Sequence, residues 1–430
     1  EALEGPQGTL YGAGALGGIV RTIPAGPDAD RTEAHVSLGA SSTSSGGPGG
    51  DVAAILNLPL KRSQAALRLT AYAIPDAGYI DDIGRGKDDV NDVRTYGGRL
   101  ALSASPDDRW TIDSLLVGQH IRGDDAQYAE TELPPLTRRS ALAQRHSNDY
   151  ALAGISARRE GDWRDLVVSL SYVDQELFER YDAVAIGNPL VAYDLTTNVQ
   201  LLSAEARLSG RRDNGASWVL GSALFANTSD QDRDVEFFVA RERRNQVSSK
   251  LTEGAVYGEA QFPVVGDVDL TLGGRLSATR LASDGFLFTP GTPLPEQRTR
   301  VESSELRFLP SAAVSGRPSA GLFLFARYQE SFRPGGLSVG ANGIERFDSD
   351  RVRSVELGAR HGRPGSPLQA NLSAGLIRWA DVQADTLDQF AEPATVNIGD
   401  ARNLFLDASL EWRALHGVRV EAGAVSVHRH

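Results

Sequence analysis

The 430-residue chain contains no cysteine and no methionine. Without cysteine there are no disulfides, no thiol chemistry and no cysteine-ligated zinc, which fits an envelope protein without requiring one. The missing methionine, with a start at Glu1 just before a glycine-rich motif, leads us to expect a piece of something longer. No apolar run approaches the roughly 18 residues that a membrane helix needs. A basic stripe is also lacking. The net charge is −12 and the pI is near 5.2, which argues against a nucleic-acid partner. A chain of this kind crosses a bilayer, if it does, with strands.

What the sequence has is period-two alternation. Val268, Leu270, Leu272 and Leu276 alternate with Asp269, Thr271, Arg275 and Ser277. Leu404, Leu406, Ala408, Leu410 and Trp412 alternate with Asn403, Asp407, Ser409, Glu411 and Arg413. Leu67, Leu69 and Ala71 do the same, as do Val418, Val420 and Ala422. One apolar and one polar face is strand behaviour. The segments read as about 10–14 residues long, which suits a tilted transmembrane strand that needs roughly 9–11.

Connections alternate between short and long. Short turns fall near Lys61-Arg62, Pro106-Asp108, Glu160-Asp162, Asp213-Gly215, Val265-Asp267, Gly316-Pro318, Gly362-Gly365 and Leu415-Gly417. Longer polar loops lie around 75–91, 122–146, 179–195, 230–249, 283–303, 331–349 and 381–397. Tight turns at one end and long loops at the other describe an all-β, antiparallel outer-membrane barrel. A kelch-type propeller shares the ~50-residue period but needs four short strands per repeat. A soluble sandwich does not require such uniform strand length. Trp110, Trp163, Trp218 and Trp412 all adjoin short turns, as an aromatic girdle at one membrane interface would place them. About 17 strands are expected from Glu33 onward. A single-chain bacterial barrel has an even number, and about 22 strands is the size associated with a plugged lumen. The expected last strand is therefore unpaired on one side.

The opening stretch, GPQGTLYGAGALGGIV (Gly5 to Val20), contains Gly12, Gly14 and Gly17 at the G-x-G-x-x-G spacing of a dinucleotide loop. That site needs a strand before the glycines and a helix after them. Here turn residues precede, and Ile19, Val20, Pro24 and Pro27 follow. The glycines instead suit sharp turns and close backbone approach.

The run EGPQGTLYGAGALGGIVRTIP resembles the end of the plug domain in TonB-dependent outer-membrane receptors. Gly5, Pro6, Gln7, Gly8, Leu10, Tyr11, Gly12, Ala15, Gly17, Gly18, Ile19 and Val20 match that motif. Glu4 stands where the family usually has arginine, so the plug–barrel contact of that arginine is not carried over. Ala255–Arg280, ARYQESFRPGGLSVG (Ala326–Gly340) and SVELGARHG (Ser354–Gly362) are similar to the family's barrel segments and occur in its order. The resemblance implies a plug end over 1–30 and an incomplete transmembrane β-barrel over 31–430. A signal, a coupling box and most of the plug would precede, and final strands would follow. It implies energy-coupled uptake, through TonB, of a scarce small-molecule chelate such as a ferric siderophore, in contact with outer-membrane lipid.

A passive porin is the alternative, although a porin needs no plug motif before its first strand. An enzyme would need a nucleophile and a base close together. The histidines (His35, His120, His146, His361, His416, His428 and His430) are scattered, and no catalytic residue, metal site or cofactor is expected. Asp230, Asp232 and Asp234 have calcium-loop spacing, but Val235 and Arg241 stand where glycine and glutamate are needed. These acids, and those of 81–92, read as solvated loop residues. The heme subclass usually carries Phe-Arg-Ala-Pro with a downstream histidine. Phe332-Arg333-Pro334-Gly335-Gly336 departs from that, and makes a turn in which Arg333 could face an anionic ligand. Whether the amino-terminal glycines serve a moving joint or a static turn stays open.

Overall fold

Period-two segments become the wall of one β-barrel. The computed structural model describes residues 2–182, 190–237, 241–288, 295–340, 343–363, 365–387, 393–415 and 417–429. Seventeen strands follow one another around the wall in chain order, from Glu33–Ser42 to Val418–Arg429. Sixteen junctions among the described residues are antiparallel ladders, such as Leu272 opposite Ala312 and Glu356 opposite Gly375.

The strands curl round until the last comes beside the first, but no ladder joins these two among the described residues, so the expected unpaired side of the last strand stands. The seam differs from every other junction. Strand directions alternate, so an odd count leaves strands one and seventeen running the same way. Among the described residues no paired register spans the seam. Glu33–Ser42 and Val418–His428 are exposed along their whole length.

The polarity of the wall is inverted relative to a soluble protein. Leu272, Leu276, Val256, Leu306 and Phe308 face outward and are exposed, whereas Glu253, Arg275, Ser277 and Thr279 are buried inside. Leucine exposed to water would be costly, whereas the same face against hydrocarbon is favourable. Among the described residues these leucines are not buried between stacked sheets, so the soluble sandwich falls away.

Strand length departs from expectation. The six strands from Arg164–Asp182 to Pro295–Ser319 run 19 to 25 residues each. Three stretches read as loops, around 179–195, 230–249 and 283–303, are largely ladder. The hydrogen bonds continue in water, where both faces of a ribbon are polar, so polarity there mimicked a loop. The tips at 183–189, 238–240 and 289–294 lie outside the described residues. Asp230, Asp232 and Asp234 sit within the strand Ser217–Phe237, and Arg243 and Arg241 pair with the last two. The turn expected at Gly316–Pro318 falls instead at Ala320 and Gly321, because the strand continues to Ser319 through an irregular register. Pro364 and His416, in two other expected turns, are outside the described residues.

Two remaining long loops form hairpins, Gly336–Gly340 with Gly343–Phe347 and Gln383–Leu387 with Pro393–Asn397. The loops 77–92 and 124–145 join through a short parallel pairing, Asp81–Asp82 with Thr137–Arg138.

Candidate functional site inside the barrel

The amino-terminal segment is tied at both ends. Ala2–Glu4 pairs antiparallel with Gly18–Val20. Between them the Gly5 N–H donates to the Gly17 carbonyl (3.1 Å) and the Gln7 N–H to the Ala15 carbonyl (2.9 Å). One helical turn, Gly8–Tyr11, spans the bend and is closed by the Gly12 N–H, which donates to the Gly8 carbonyl at 2.9 Å. The element after Gly17 is a strand, so the geometry of a dinucleotide loop is absent.

This segment meets the luminal side of the wall. On Leu322–Arg333, Leu324 faces outward, so by alternation Arg327 and Gln329 face inward. The Gln7 and Gln329 amides meet at 3.5 Å, and Thr9 Oγ1 donates to the Leu309 carbonyl at 3.4 Å. The Gly14 N–H donates to the Phe332 carbonyl at 2.9 Å. Pro6, Gln7, Gly8 and Thr9 are buried, Leu10 is half-buried and Tyr11 is exposed to the lumen. A Cβ on Gly8 would fall on the backbone of Glu330 and Ser331. Gly12 has φ +81° and lies against the Arg275 guanidinium, so a side chain there is both strained and obstructed. A Cβ on Gly17 would meet no atom within 4 Å; it is the carbonyl of Gly17 that the bend uses. Gly18 stands opposite Glu4 in the small sheet, and the Glu4 side chain is outside the described residues.

Under the helical turn lies a buried ionic cluster. Arg275 Nη2 donates to Glu253 Oε1 at 2.7 Å, and Ser277 Oγ bridges the two at 2.9 Å from each. The guanidinium stacks 5.6 Å from the Tyr257 ring, and the Tyr257 hydroxyl donates to Glu205. Beside it a cavity of about 360 Å³ is lined by Leu10, Tyr11, Asn227, Glu205, Arg275 and Arg333. Asn227 Oδ1 is buried there without a hydrogen-bond partner among the described residues. The cavity is a small compartment of largely apolar lining with Glu205, Asn227, Arg275 and Arg333 among its polar groups. Among the described residues no group of three histidine, aspartate or glutamate side chains is arranged to hold a metal.

Above the segment, the strand end at Phe332 and Arg333 leads through Pro334 and Gly335 into the first mouth hairpin. Arg333 does not stand free for an anion: its Nη2 donates to Asp350 Oδ2 at 2.7 Å. Asp350 is fully buried and also accepts from Trp379 Nε1 (3.0 Å) and the Gln383 N–H (3.3 Å). Gln383 Nε2 in turn donates to the Pro334 and Asp348 carbonyls. Leu337 and Ile344 of the hairpin pack on Val247, Leu287 and Val301 of the tall strands. The strand end that touches Gly14 is therefore wired to both hairpins. No sequence motif flagged Asp350, whose partners are 17 to 33 residues away.

The loops 77–92 and 124–145 are locked by a second network. Asp82 and Arg138 are completely buried. Asp82 accepts from Arg85 Nε (2.8 Å) and from the N–H groups of Gly84 and Ser140, while Arg85, Arg138 and the Gln144 N–H converge on Asp125. Burial alone would raise the Asp82 carboxyl's pKa, but the Arg85 and Ser140 donors more than offset it and hold it below the ordinary range. The expectation of solvated loop acids is thus wrong for Asp82. Its compensation comes in part from Arg138, 56 residues on, which local reading cannot see.

Residues 39–426 match the family model described as TonB dependent receptor-like, beta-barrel. The pesticin receptor of Yersinia enterocolitica is 28% identical over 166 residues, covering 35% of this chain and 24% of that protein. The ferric yersiniabactin uptake receptor FyuA from Yersinia pestis superposes with a TM-score of 0.85 at 16% identity, over 100% of this chain and 66% of that one. The copper transporter OprC superposes with a TM-score of 0.77 at 13% identity, over 100% and 66%. The chain thus spans just under two thirds of these solved structures and matches a quarter of the curated relative. With a wall of outward leucines and a family match across nearly its whole length, the chain belongs to the TonB-dependent receptor family of outer-membrane β-barrels.

Proposed function

We propose that the complete protein imports a scarce small-molecule chelate, a ferric siderophore first among the candidates, across the outer membrane with energy delivered by TonB. The observation that carries this reading is the amino-terminal segment seated on the luminal wall and bonded, through Gly14 and Phe332, to the strand end that leads into the mouth hairpins. In this reading residues 1–30 are the last part of a plug, residues 31–430 belong to the barrel, and Gly5, Pro6, Gln7, Gly8, Leu10, Tyr11, Gly12, Gly17 and Gly18 form the joint between them. The solved relatives include a ferric yersiniabactin receptor and a copper transporter, so the fold accommodates different metals and the ligand is fixed by loops and plug.

The protein is proposed to do no covalent chemistry. Arg275, the luminal cation beneath the segment, is engaged with Glu253, and the family is one of receptors.

The test is growth of an iron-starved deletion strain carrying the full-length gene. Growth on one ferric chelate, lost when the coupling protein is deleted, supports the reading. Growth that persists without coupling, together with steady ion conductance of the purified full-length protein, supports a passive channel instead.

A further inference from the structure

On the outer face, three arginines stand directly opposite one another on three adjacent strands. Arg353 on Asp350–His361 is paired in register with Arg378 on Leu368–Ala380, and Arg378 with Arg402 on Ala401–Leu415. Two residues below on each strand come Val355, Leu376 and Leu404, also in register. Equal parity puts the arginines on the same face as this apolar row, whose Val355 and Leu404 are exposed. Like charges directly opposite in a sheet repel. Elsewhere on the outer face, Arg280 meets Glu302, and Arg94 meets Asp92 and Asp124.

The arginine row has such a partner at one end only. Glu330 is shared by Arg351 and Arg353. Among the described residues, Arg378 and Arg402 have no carboxylate within ion-pair distance, although Asp381 and Asp400 line the same depression of about 720 Å³.

The height of the row is set by the strand itself. Trp412, in the girdle near the short turns, and Arg402 lie ten residues apart on one strand, with Leu404, Leu406, Ala408 and Leu410 between them on the same face. Ten residues at about 3.3 Å, tilted roughly 40°, rise about 25 Å, the height of an outer-membrane apolar band. Arg402 therefore stands where the hydrocarbon ends and lipid headgroups begin, on the side of the long loops.

We propose that Arg353, Arg378 and Arg402 form a docking site for the phosphorylated headgroup of an outer-leaflet lipid. Guanidinium groups bind phosphate oxygens in pairs of parallel hydrogen bonds, and a lipid phosphate at this depth supplies the negative charge that the sheet does not. The lipid's chains would lie along Val355, Leu376 and Leu404.

The test uses the full-length protein in detergent micelles, with bound lipid counted by native mass spectrometry. Phosphatidic acid is the probe, phosphatidylcholine the zwitterionic comparison, and inorganic phosphate the competitor. Wild type should retain phosphatidic acid about tenfold more tightly than the Arg378→Gln/Arg402→Gln variant, resist displacement by inorganic phosphate, and show little preference for phosphatidylcholine. Arg280→Gln, outside the row, should bind as wild type does. If the double glutamine variant does not fold, Arg378→Lys/Arg402→Lys keeps the charge, and it should bind several-fold more weakly because the paired geometry is lost. Equal retention by wild type and either folded double variant overturns the proposal. So does full displacement by inorganic phosphate, which would mark an ion site with no lipid preference.

Discussion

The Gly14 N–H donates to the Phe332 carbonyl at 2.9 Å, joining the amino-terminal segment to a distant strand of the wall. Phe332 is fully buried, and the next residue, Arg333, is fixed by Asp350. A displacement of the segment therefore acts on the residue that leads into the mouth hairpins.

Gly8 controls how closely the segment approaches. Backbone, not a flexible side chain, occupies the place of its Cβ, so neighbours cannot yield. Gly8→Val should push the helical turn off the wall and expose residues 5–16, while the barrel stays folded. Limited proteolysis, with heat-modifiable gel mobility as the folding control, checks this. A segment as resistant as wild type would disprove the close approach.

Asp350 should act as the latch of the mouth. Asp350→Ala leaves Trp379 Nε1 and the Gln383 N–H without their acceptor, at a cost of about 1–3 kcal/mol for each buried group left unpaired. Hydrogen exchange over 336–347 and 383–397 should speed up together, and exchange in the lower wall should not change.

Leu272 faces outward and Thr271 inward. Leu272→Arg should destabilise the barrel by about 2–4 kcal/mol if that position lies near mid-bilayer, and Thr271→Arg much less. Unfolding titrations in lipid vesicles measure both. Equal losses at the two positions would reverse the assignment of faces.

Acid should loosen the paired loops. The Asp82 pKa is lowered in the folded protein, so its ion pairs contribute fully above the ordinary aspartate value of about 3.9 and are lost as pH falls through the lower folded value. Exchange protection at 79–85 and 136–140, corrected for intrinsic rates, should hold from pH 7 to about 5 and drop below about 4. Asp82→Asn should show low protection at every pH. Protection that does not depend on pH in wild type would remove Asp82 from the network.

Faces and approximate strand count were legible in the sequence because they depend on alternation, which is local. The leucines at 272 and 276 and the arginine at 275 are assigned to opposite sides by parity alone, whatever the rest of the chain does. The glycine motif was likewise legible as turn chemistry, since residues 5–18 bond mainly to one another.

Other features were decided only by distant pairing. Strand ends above the membrane depend on where two ribbons stop bonding, and polar composition does not mark that point. Asp82 is buried because Arg138 reaches it, and Arg333 is neutralised because Asp350 lies beneath it. The arginine row exists only in the register of three strands. Sequence sets what each residue prefers to face; the paired strands of the wall decide which charges meet.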